Sequence, residues 1–418
     1  MKSVYLCIDL KTFFASVECV ERHLDPFETN LVVADPTRGK GALCLAISPK
    51  MKMQGIKNRC RMFEIPDGVE YIIALPRMNL YMQYSANIYA IYLKYVSKDD
   101  IHVYSIDEAF LDITHYLHLY NTTPKQLAIK IMSDVYETTG ITATAGIGTN
   151  LYLAKVALDI IAKHTKDNIG MLSEESYKKY LWHYTPLTDF WHVGVGIANR
   201  LLKYNIHNMY DIAHCSEDIL YKEFGINAEY LIDHSWGKEL TTMHDIKKYK
   251  AKSNSISHSQ VLFEDYNYDN ALLVVKEMVE LKVLDLVDQH LVTDNISLHI
   301  SYSNNIIKNT GGAMTITTKT NSYRVLLNYF IDLYKRTTNP NYPIRRIGIG
   351  FNNVLDEYYE SYDLFTDYEE LEKEKNLQRA IVEIKQRYGK NAVLKGMNFM
   401  EKATTRKRNT LVGGHNAE

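Results

Sequence analysis

The predicted order of strands and helices is the feature of this sequence that most restricts its fold. Short runs rich in β-branched and aromatic residues alternate with longer runs whose apolar side chains recur at helical spacing. When an insertion at residues 25–75 is set aside, residues 3–148 read strand, helix, two strands, helix, strand. The same order returns over residues 253–351, although the sequence itself does not repeat. This order is typical of a split-βαβ or ferredoxin-like sheet, so we expect an α+β chain with two such modules.

Composition limits the class of protein to which this chain can belong. Its 418 residues are too many for one ordinary core, and 46% hydrophobic with 23% charged residues is typical of a soluble globular protein. No apolar run has membrane-spanning length and no secretory leader is recognisable, so we expect no membrane partner and a cytoplasmic location. Five cysteines without a CxxC spacing also fit a reducing compartment. The net charge of -2 does not indicate a nucleic-acid binder, so such a function must depend on local charge.

An acidic pair interrupts the segment VYSIDEAFLDIT at residues 103–114, which otherwise has the composition of two short strands. Taken alone, Asp107 and Glu108 are most simply part of an exposed hairpin turn. In a split-βαβ sheet the first strand lies beside the central hairpin, which brings Asp9 next to this pair. Three carboxylates without a basic partner repel one another, so a cation must neutralise them. Oxygen ligands favour Mg²⁺ or Mn²⁺, and two such ions about 3.5–4 Å apart are a recurring device for attack at phosphorus.

Three segments together resemble one family of enzymes. CIDLKTFFASVE, YSIDEAFLDIT and ATAGIGTNLYLAKVALD follow one another as in the palm of Y-family translesion DNA polymerases of the UmuC/DinB type, and the C-terminal segment is most similar to UmuC-type members of Gram-positive bacteria. The resemblance covers nearly the whole chain. It implies a DNA-directed DNA polymerase that uses primer–template DNA and dNTPs, makes errors, lacks proofreading, and acts in DNA damage repair and the SOS response.

The resemblance also implies a division into domains that agrees with the modules predicted above. It gives a multidomain polymerase with a ferredoxin-like palm, small fingers, a helical thumb with a helix-hairpin-helix, and a second split-βαβ little finger. The predicted boundaries are residues 1–27 and 76–165 for the palm, 28–75 for the fingers, 166–240 for the thumb, 245–355 for the little finger and 356–418 for a C-terminal segment.

The catalytic residues that the resemblance implies are the three acids. Asp9, Asp107 and Glu108 match the metal-binding carboxylates, and the backbone carbonyl of Leu10 would also face a metal. These groups would hold two Mg²⁺ ions, for which Mn²⁺ can substitute. One ion would lower the pKa of the primer 3′-hydroxyl, and the other would hold the triphosphate.

The nucleotide-binding residues that the resemblance implies lie in three places. Phe13 and Phe14 fall at the sugar, where Phe14 matches the steric gate that excludes a 2′-hydroxyl. The alternative for either residue is a place in the helix core. Lys155 matches a lysine that contacts the triphosphate, and an ordinary exposed helix lysine is the alternative. In the fingers, Pro49 and Lys52 stand where the family often has an aromatic residue and an arginine or lysine. Lys52 supplies a point charge without arginine's bidentate fork.

The predicted thumb contains a G-x-G turn formed by Gly194, Val195 and Gly196. We expect it to open a helix near Ala198 and to present backbone N–H groups to DNA phosphates. It resembles the family's helix-hairpin-helix, although Val193 replaces the proline that is common before the first glycine. A plain turn between two helices is the alternative.

Local positive charge supplies the remaining predicted DNA contacts. One group of lysines lies in the tether between thumb and little finger, where a solvated linker is the alternative, and two adjacent arginines lie in the last strand of the second module. Neighbouring residues of a strand face opposite sides, so we expect only one arginine on the DNA-facing surface. These residues are Lys247, Lys248, Lys250, Lys252, Arg345 and Arg346.

The segment after residue 355 has a different character. SYDLF resembles the short motif by which bacterial polymerases bind the sliding clamp, with serine and tyrosine in place of the usual glutamine and leucine; a local hydrophobic staple is the alternative. Accessory proteins of the SOS response are further candidate partners. An amphipathic helix is predicted over residues 369–389, and the basic tail beyond residue 400 is expected to be disordered. The clamp-motif residues are Ser361, Tyr362, Asp363, Leu364 and Phe365.

Two other functions fit parts of this pattern. A nucleotide cyclase shares a ferredoxin-like palm and two-metal chemistry, but it does not need the G-x-G thumb or a second split-βαβ module. A catalytically weak protein that only binds DNA and the clamp is the other alternative. The intact acids at Asp9, Asp107 and Glu108 argue against this alternative. Pro49 is compatible with it, because it replaces the aromatic residue that the family often has at this position.

Overall fold

The computed structural model of the protein describes residues 3–251, 254–364 and 366–418. Two compact units are present, the first ending at Tyr249 and the second comprising Lys250–Ala417. None of the described helices is long and apolar enough to cross a bilayer. All five cysteines are free thiols.

The first unit contains two sheets and twelve α-helices within its described residues. Its strands are β1 (Tyr5–Leu10), β2 (Leu31–Val33), β3 (Ala46–Ile47), β4 (Ile72–Ala74), β5 (Ile101–Val103), β6 (Glu108–Asp112), β7 (Ala143–Gly148) and β8 (Ile169–Leu172). Its helices are α1 (Phe13–Glu21), α2 (Pro49–Met53), α3 (Met78–Tyr92), α4 (Tyr116–Leu119), α5 (Pro124–Thr139), α6 (Leu151–Val156), α7 (Glu174–Leu181), α8 (Val195–Leu202), α9 (Met209–His214), α10 (Glu217–Phe224), α11 (Ala228–Ser235) and α12 (Met243–Lys248).

The larger sheet has the strand order β5–β6–β1–β7–β8. Its first four strands are antiparallel neighbours in the ferredoxin-like order, which confirms the predicted arrangement. Helix α5 is capped by Thr123, whose side chain accepts a hydrogen bond from the Gln126 N–H, and it ends at Gly140 with φ of 71°. Strand β8 falls within the segment predicted as thumb, yet it pairs in parallel with β7. The palm sheet therefore extends to Leu172.

Helix α6 lies directly against β7 because two glycines leave room for its backbone. A Cβ atom at Gly146 would stand 2.1 Å from the carbonyl oxygen of Ala154, and one at Gly148 would stand 2.1 Å from the Ala154 nitrogen. Real side chains do not tolerate such distances, so the glycines fix how closely the helix approaches. After Val156 the helix continues as a π-helical turn (Ala157–Ile161) and a 3₁₀ turn (Ala162–His164).

A small sheet of order β3–β2–β4 forms the fingers, with its own buried core around Val32, Ile47 and Met51. Helix α2 starts with Pro49 in its first turn, where a missing N–H is harmless. The thumb helices pack around a third core that includes Tyr177.

The second unit carries two further sheets and four α-helices in its described part. Its strands are β9 (Ile256–Tyr266), β10 (Leu291–Tyr302), β11 (Thr310–Thr320), β12 (Ile344–Asn352), β13 (Leu355–Asp356), β14 (Leu411–Val412) and β15 (His415–Asn416). Its helices are α13 (Tyr268–Asp288), α14 (Tyr323–Thr337), α15 (Tyr368–Tyr388) and α16 (Thr405–Arg408).

The main sheet of the second unit has the order β11–β10–β12–β9. Both crossovers are of the split-βαβ kind, because β12 lies between β9 and β10 and β10 lies between β11 and β12. The predicted second split-βαβ module is therefore present. Its strand order differs from that of the palm, since the second and fourth strands of the module are central here.

The C-terminal tail is folded, and the expectation of disorder beyond residue 400 is wrong. Helix α16 and the hairpin of β14 and β15 follow α15, and the tail packs against α13. The carboxylate of Glu277, only 1% exposed, accepts hydrogen bonds from the Asn398 amide (3.0 Å) and from the Thr404 N–H (2.7 Å). Sequence composition could not reveal this partner, because it lies more than 120 residues away in the chain.

Candidate active site

The three acids lie at neighbouring ends of two paired strands. Asp9, near the end of β1, stands opposite Glu108, the first residue of β6. The Leu10 N–H donates to the carbonyl oxygen of Asp107 at 2.9 Å, which fixes the turn that carries the acidic pair. The structure thus brings together the carboxylates that the strand order places side by side. The direction of the Leu10 carbonyl towards a metal stays a prediction.

Negative charge is concentrated at this end of the sheet. Burial is the largest cause that raises the pKa of Asp9 to about 7, and the neighbouring charges of Asp107 and Glu108 raise it further. Asp107 accepts a hydrogen bond from the Ser105 hydroxyl at 2.6 Å. A carboxyl group whose pKa is raised in this way binds a proton or another cation more readily than an isolated acid does.

One of the acids has a basic partner, which the sequence interpretation did not foresee. The Lys155 ammonium lies 2.9 Å from Glu108 Oε1 and 3.0 Å from Asp159 Oδ2. Burial by itself lowers the pKa of Lys155, but Asp159 and Glu108 outweigh it and raise this pKa. Lys155 is 8% exposed. The statement that the three acids lack a basic partner is therefore wrong, and Lys155 faces carboxylates rather than open space for a triphosphate.

The donor chemistry of this end of the sheet fits a hard divalent cation. Asp9 and Asp107 provide oxygen ligands, and the raised pKa of Asp9 reflects negative charge that a cation would offset. Across the described ranges, no three His, Cys, Asp or Glu side chains are placed to hold one ion together. Glu108 is instead bound to Lys155 and also accepts from the Cys7 thiol at 3.2 Å.

Three other lysines surround the acids, and the sequence interpretation named only one of them. Burial is the largest cause that lowers the pKa of Lys52; Asp9 opposes it and Lys163 adds to it, so these charges lie close together. Burial and then Lys52 lower the pKa of Lys11, which also lies near Asp9. Lys163 has a half-exposed side chain and only a 3.5 Å contact with Asp159. Lys11 also donates a hydrogen bond to the side-chain oxygen of Asn168. Positive charge near the acids is therefore not confined to Lys155.

Lys11 and Lys163 were missed for different reasons. Lys11 lies between Asp9 and the aromatic pair Phe13–Phe14, and no motif distinguishes it from an ordinary exposed lysine. Lys163 lies eight residues after Lys155, and the π-helical turn between them changes which face of the helix it occupies. Its basic side chain, two turns after Lys155, was the only signal in the sequence.

The two phenylalanines have different environments. Phe13 is 2% exposed and belongs to the core, so we assign it to packing and not to nucleotide contact. Phe14 is half-buried, and its ring stacks on Tyr81 with 4.6 Å between centroids. Tyr81 in turn donates its hydroxyl proton to the buried carboxylate of Glu18 at 2.7 Å. Tyr81 therefore supports one face of the Phe14 ring.

Helix α8 begins at Val195 and not near Ala198, so Gly194 caps the helix and Gly196 lies in its first turn. Val195 is 67% exposed, and a Cβ atom at either glycine would have no heavy atom within 4 Å. The start of the helix is thus unobstructed, as contact with a phosphate backbone requires. That contact stays a prediction.

The lysines of the predicted tether are only partly in a linker. Lys247 and Lys248 form the last turn of α12, and the Lys247 ammonium donates to the carbonyl oxygen of Lys98 at 3.2 Å. Lys250 is exposed at the start of the second unit. Lys252 lies outside the described residues.

Both arginines of β12 are at least partly exposed, because the strand is irregular at this point. Ile344 and Ile347 are both buried, and the pairing with β10 shifts register between Ile344 and Arg346. Such a bulge leaves two residues between core positions, so the expectation that Arg345 and Arg346 face opposite sides is wrong. Arg345 lies 3.5 Å from Asp265, and Arg346 donates to the Ser259 hydroxyl at 3.0 Å.

The predicted clamp motif lies on the surface beside the edge strand β11. The Ser361 N–H donates to the Lys319 carbonyl at 3.0 Å, which anchors the start of the segment. Leu364 is 99% exposed and Tyr362 is 46% exposed. The Asp363 N–H donates to the Thr366 hydroxyl at 3.1 Å. Phe365 lies outside the described residues.

Comparisons with known proteins find relatives along nearly the whole chain. The profile of the impB/mucB/samB family matches residues 8–159, and that of the impB/mucB/samB family C-terminal domain matches residues 253–364. A putative UV-damage repair protein, UvrX of Bacillus subtilis (strain 168), is 30% identical over 98% of this chain and 97% of its own length. DNA polymerase IV 2 of the same strain is 26% identical over 99% of both chains. A solved Y-family DNA polymerase chimera of Dbh and Dpo4 has a similar fold, with a TM-score of 0.65, 21% identity, and coverage of 84% of this chain and 99% of the chimera.

Proposed function

Because the chain belongs to the impB/mucB/samB family of Y-family DNA polymerases, it is a DNA-directed DNA polymerase, and we propose that it carries out error-prone translesion synthesis by a two-metal mechanism in the SOS response. The observation that carries this proposal is the meeting of Asp9, Asp107 and Glu108 at one end of the palm sheet. The substrates are primer–template DNA and dNTPs.

The acids bind the catalytic cations in this proposal. Asp9, Asp107 and Glu108 would hold divalent cations, Mg²⁺ with Mn²⁺ as a substitute, and Glu108 would do so in place of its contact with Lys155. Asp159 keeps Lys155 paired when Glu108 turns, since it contacts the ammonium independently. The bound cations supply a lowered pKa at the primer 3′-hydroxyl and charge stabilisation at the α-phosphate.

The lysines and Phe14 select and hold the nucleotide. The charges of Lys11 and Lys52 interact with Asp9, and that of Lys163 with Lys52, so a triphosphate bound at the acids would meet positive charge. The free face of Phe14 lies under the sugar and excludes a 2′-hydroxyl. Tyr81 supports the opposite face of this ring.

The remaining proposed contacts are with DNA and protein partners. The start of α8 and the side chains of Arg345 and Arg346 contact phosphates, so affinity falls as salt concentration rises. The exposed segment at Leu364 binds a sliding clamp, because its apolar side chain is fully accessible beside an anchored strand edge. Accessory SOS proteins are further proposed partners.

Primer extension tests this function. The full chain is supplied with Mg²⁺, and then Mn²⁺, on an undamaged template and on one with an abasic site, together with Asp107→Ala and the matched control Asp99→Ala, which changes an exposed loop acid. We expect template-dependent extension by the native chain and the control, and none by Asp107→Ala. Extension that survives Asp107→Ala would refute the assigned chemistry. Absence of extension by all three proteins, with a sliding clamp present, would favour the non-catalytic DNA- and clamp-binding alternative.

A further inference from the structure

Two of the five cysteines lie together in the fingers. Cys44 precedes β3, and Cys60 follows the segment that contains α2. Both belong to the buried core around Val32, Ile47 and Met51. Each of the other three cysteines lies in or against a different core. Cys44 and Cys60 are therefore a pair of thiols that the local fold of the fingers brings together.

The backbone places the two cysteines opposite each other. Leu43 and Arg61 form an antiparallel bridge, so Cys44 and Cys60, the next residues along the two segments, are also opposed. The Cys44 N–H donates to the Cys60 carbonyl oxygen at 2.9 Å. Opposed antiparallel residues have Cα atoms about 4.5–5.5 Å apart, within the range of about 4.4–6.8 Å that a disulfide spans. A disulfide can therefore join this pair without a rearrangement of the backbone.

The two side chains also meet. The thiols of Cys44 and Cys60 share a hydrogen bond, so their sulfur atoms are in direct contact. Burial is the largest cause that raises the pKa of Cys44 to about 12, and the neighbouring Cys60 adds to it. Because the thiolate is the reactive form of cysteine, Cys44 is not the thiol that an oxidant attacks first.

Cys60 is the member of the pair that lies nearer to solvent. It is 6% exposed, whereas Cys44 is 0% exposed. Its chain neighbours Arg59 and Arg61 are both exposed, so Cys60 lies directly beneath the surface of the fingers. A small oxidant can therefore reach Cys60 from this side, and Cys44 lies behind it as the second thiol.

We propose that Cys44 and Cys60 are a reversible redox pair, which hydrogen peroxide converts to a disulfide. The Cys60 thiolate attacks one peroxide oxygen and the O–O bond breaks. Cys60 becomes a sulfenic acid, and the released hydroxide takes up the proton that Cys60 lost. The Cys44 sulfur then attacks the Cys60 sulfur, the S–O bond breaks, and the hydroxyl leaves with the Cys44 proton as a second water. The two sulfurs are oxidised and the peroxide is reduced; a small thiol reverses the reaction by thiol–disulfide exchange.

The disulfide closes residues 45–59 into a loop that contains β3 and α2. Closing a loop of about 15 residues limits the freedom of the unfolded chain, which stabilises the folded fingers. The fingers thus have a reduced state and a more stable oxidised state. Neither cysteine is assigned to DNA, nucleotide or metal, so this property does not depend on the proposed polymerase chemistry.

Mass spectrometry of the full native chain after treatment with hydrogen peroxide tests the pair. The remaining thiols are alkylated, and the chain is digested with trypsin in the absence of reductant. We expect one linked peptide pair that joins Cys44 to Cys60, with two fewer free thiols than the five of the untreated chain, and dithiothreitol should restore both thiols. The melting temperature should rise by about 5–10 °C on oxidation. Oxidation of the partly exposed Cys215 without formation of the linked pair would overturn the proposal.

Controls separate the geometry of the pair from general thiol reactivity. Under peroxide, Cys60→Ala should form no disulfide and show no rise in melting temperature, whereas Cys215→Ala should keep both. The chain oxidised in urea should give mixed pairings among its cysteines, and an equal mixture from the native chain would show that the fold does not select this pair. A linked pair that leaves the melting temperature unchanged would refute the stabilisation. The measurements on the native chain decide the question even if Cys60→Ala fails to fold.

Discussion

Substitution of Lys163 should change nucleotide binding, whereas substitution of Lys155 should change stability. Lys163 is half-exposed, and its 3.5 Å contact with Asp159 is a surface ion pair worth about 0–1 kcal/mol, so Lys163→Ala should hardly change stability. If Lys163 meets the triphosphate, its loss removes a charged hydrogen bond worth about 1.5–3 kcal/mol. The Michaelis constant for dNTP should then rise roughly 10- to 100-fold.

Lys155→Met should act mainly on stability. Lys155 and Glu108 both have side chains that are 10% exposed, so the substitution leaves an unpaired carboxylate in a buried position. Breaking such a buried pair costs about 3–5 kcal/mol. For a unit of this size that corresponds to a fall of roughly 6–20 °C in melting temperature.

Single-nucleotide extension with varied dNTP, together with thermal melting, separates the two residues. Arg59→Ala, at an exposed position in the fingers, is the control for loss of positive charge, and it should change neither quantity. The reasoning is refuted if Lys163→Ala leaves the Michaelis constant within twofold of the native value while Lys155→Met raises it without lowering the melting temperature. That result would restore the sequence-based assignment of Lys155 to the triphosphate.

Three further substitutions test other parts of the structure. Burial raises the pKa of Glu239, but hydrogen bonds from His234 and Thr241 outweigh it and lower this pKa to about 2. The stabilisation that Glu239 provides is therefore present above about pH 4.3 and is lost as the pH falls towards 2. In urea unfolding, Glu239→Gln should reduce this fall of the unfolding free energy at acid pH, here called the acid limb. Gly146→Ala should destabilise the palm by about 1–3 kcal/mol or more in urea unfolding, because its Cβ would overlap the backbone of α6. Glu277→Ala should release the C-terminal tail and expose its basic residues to trypsin, since buried donors lose their acceptor.

Each of these has a matched control in the same chain. Glu70→Gln changes an exposed acid and should leave the acid limb as it is. Gly196→Ala adds a Cβ where no heavy atom lies within 4 Å, so a loss of stability equal to that of Gly146→Ala would contradict the packing argument. Glu401→Ala changes an exposed acid of the tail itself, and equal trypsin sensitivity in this control would show that Glu277 does not hold the tail.

The close approach of the acids was predictable because it follows from the order of the elements and from the length of the strands. The β-α-ββ-α-β order specifies which strands are neighbours, and strand length then sets Asp9 opposite Glu108. The partner of Lys155 was not predictable in the same way. Its contact with Glu108 depends on how closely α6 approaches β7. Gly146 and Gly148 permit this close approach, but the presence of two glycines does not by itself predict it.

Irregular backbone accounts for most of the remaining differences. A strand pattern places Arg345 and Arg346 on opposite faces, and only the bulge between the buried Ile344 and Ile347 changes this. A π-helical turn similarly redirects Lys163. Bulges and π turns are set by the packing of distant segments, so local propensity cannot place them.

The pairing of Lys155 explains how the palm can fold with three acids at one edge. Burial, and after it the charge of Asp107, raises the pKa of Asp9, so these two acids still repel each other. The third, Glu108, is neutralised by a lysine that belongs to the same fold. Because Asp159 holds that lysine on its other side, Glu108 can exchange the ammonium for a cation without leaving Lys155 unpaired. In the proposed two-metal mechanism, the chain would thus carry its own counter-charge for one metal ligand, and the need for a cation would fall chiefly on Asp9 and Asp107.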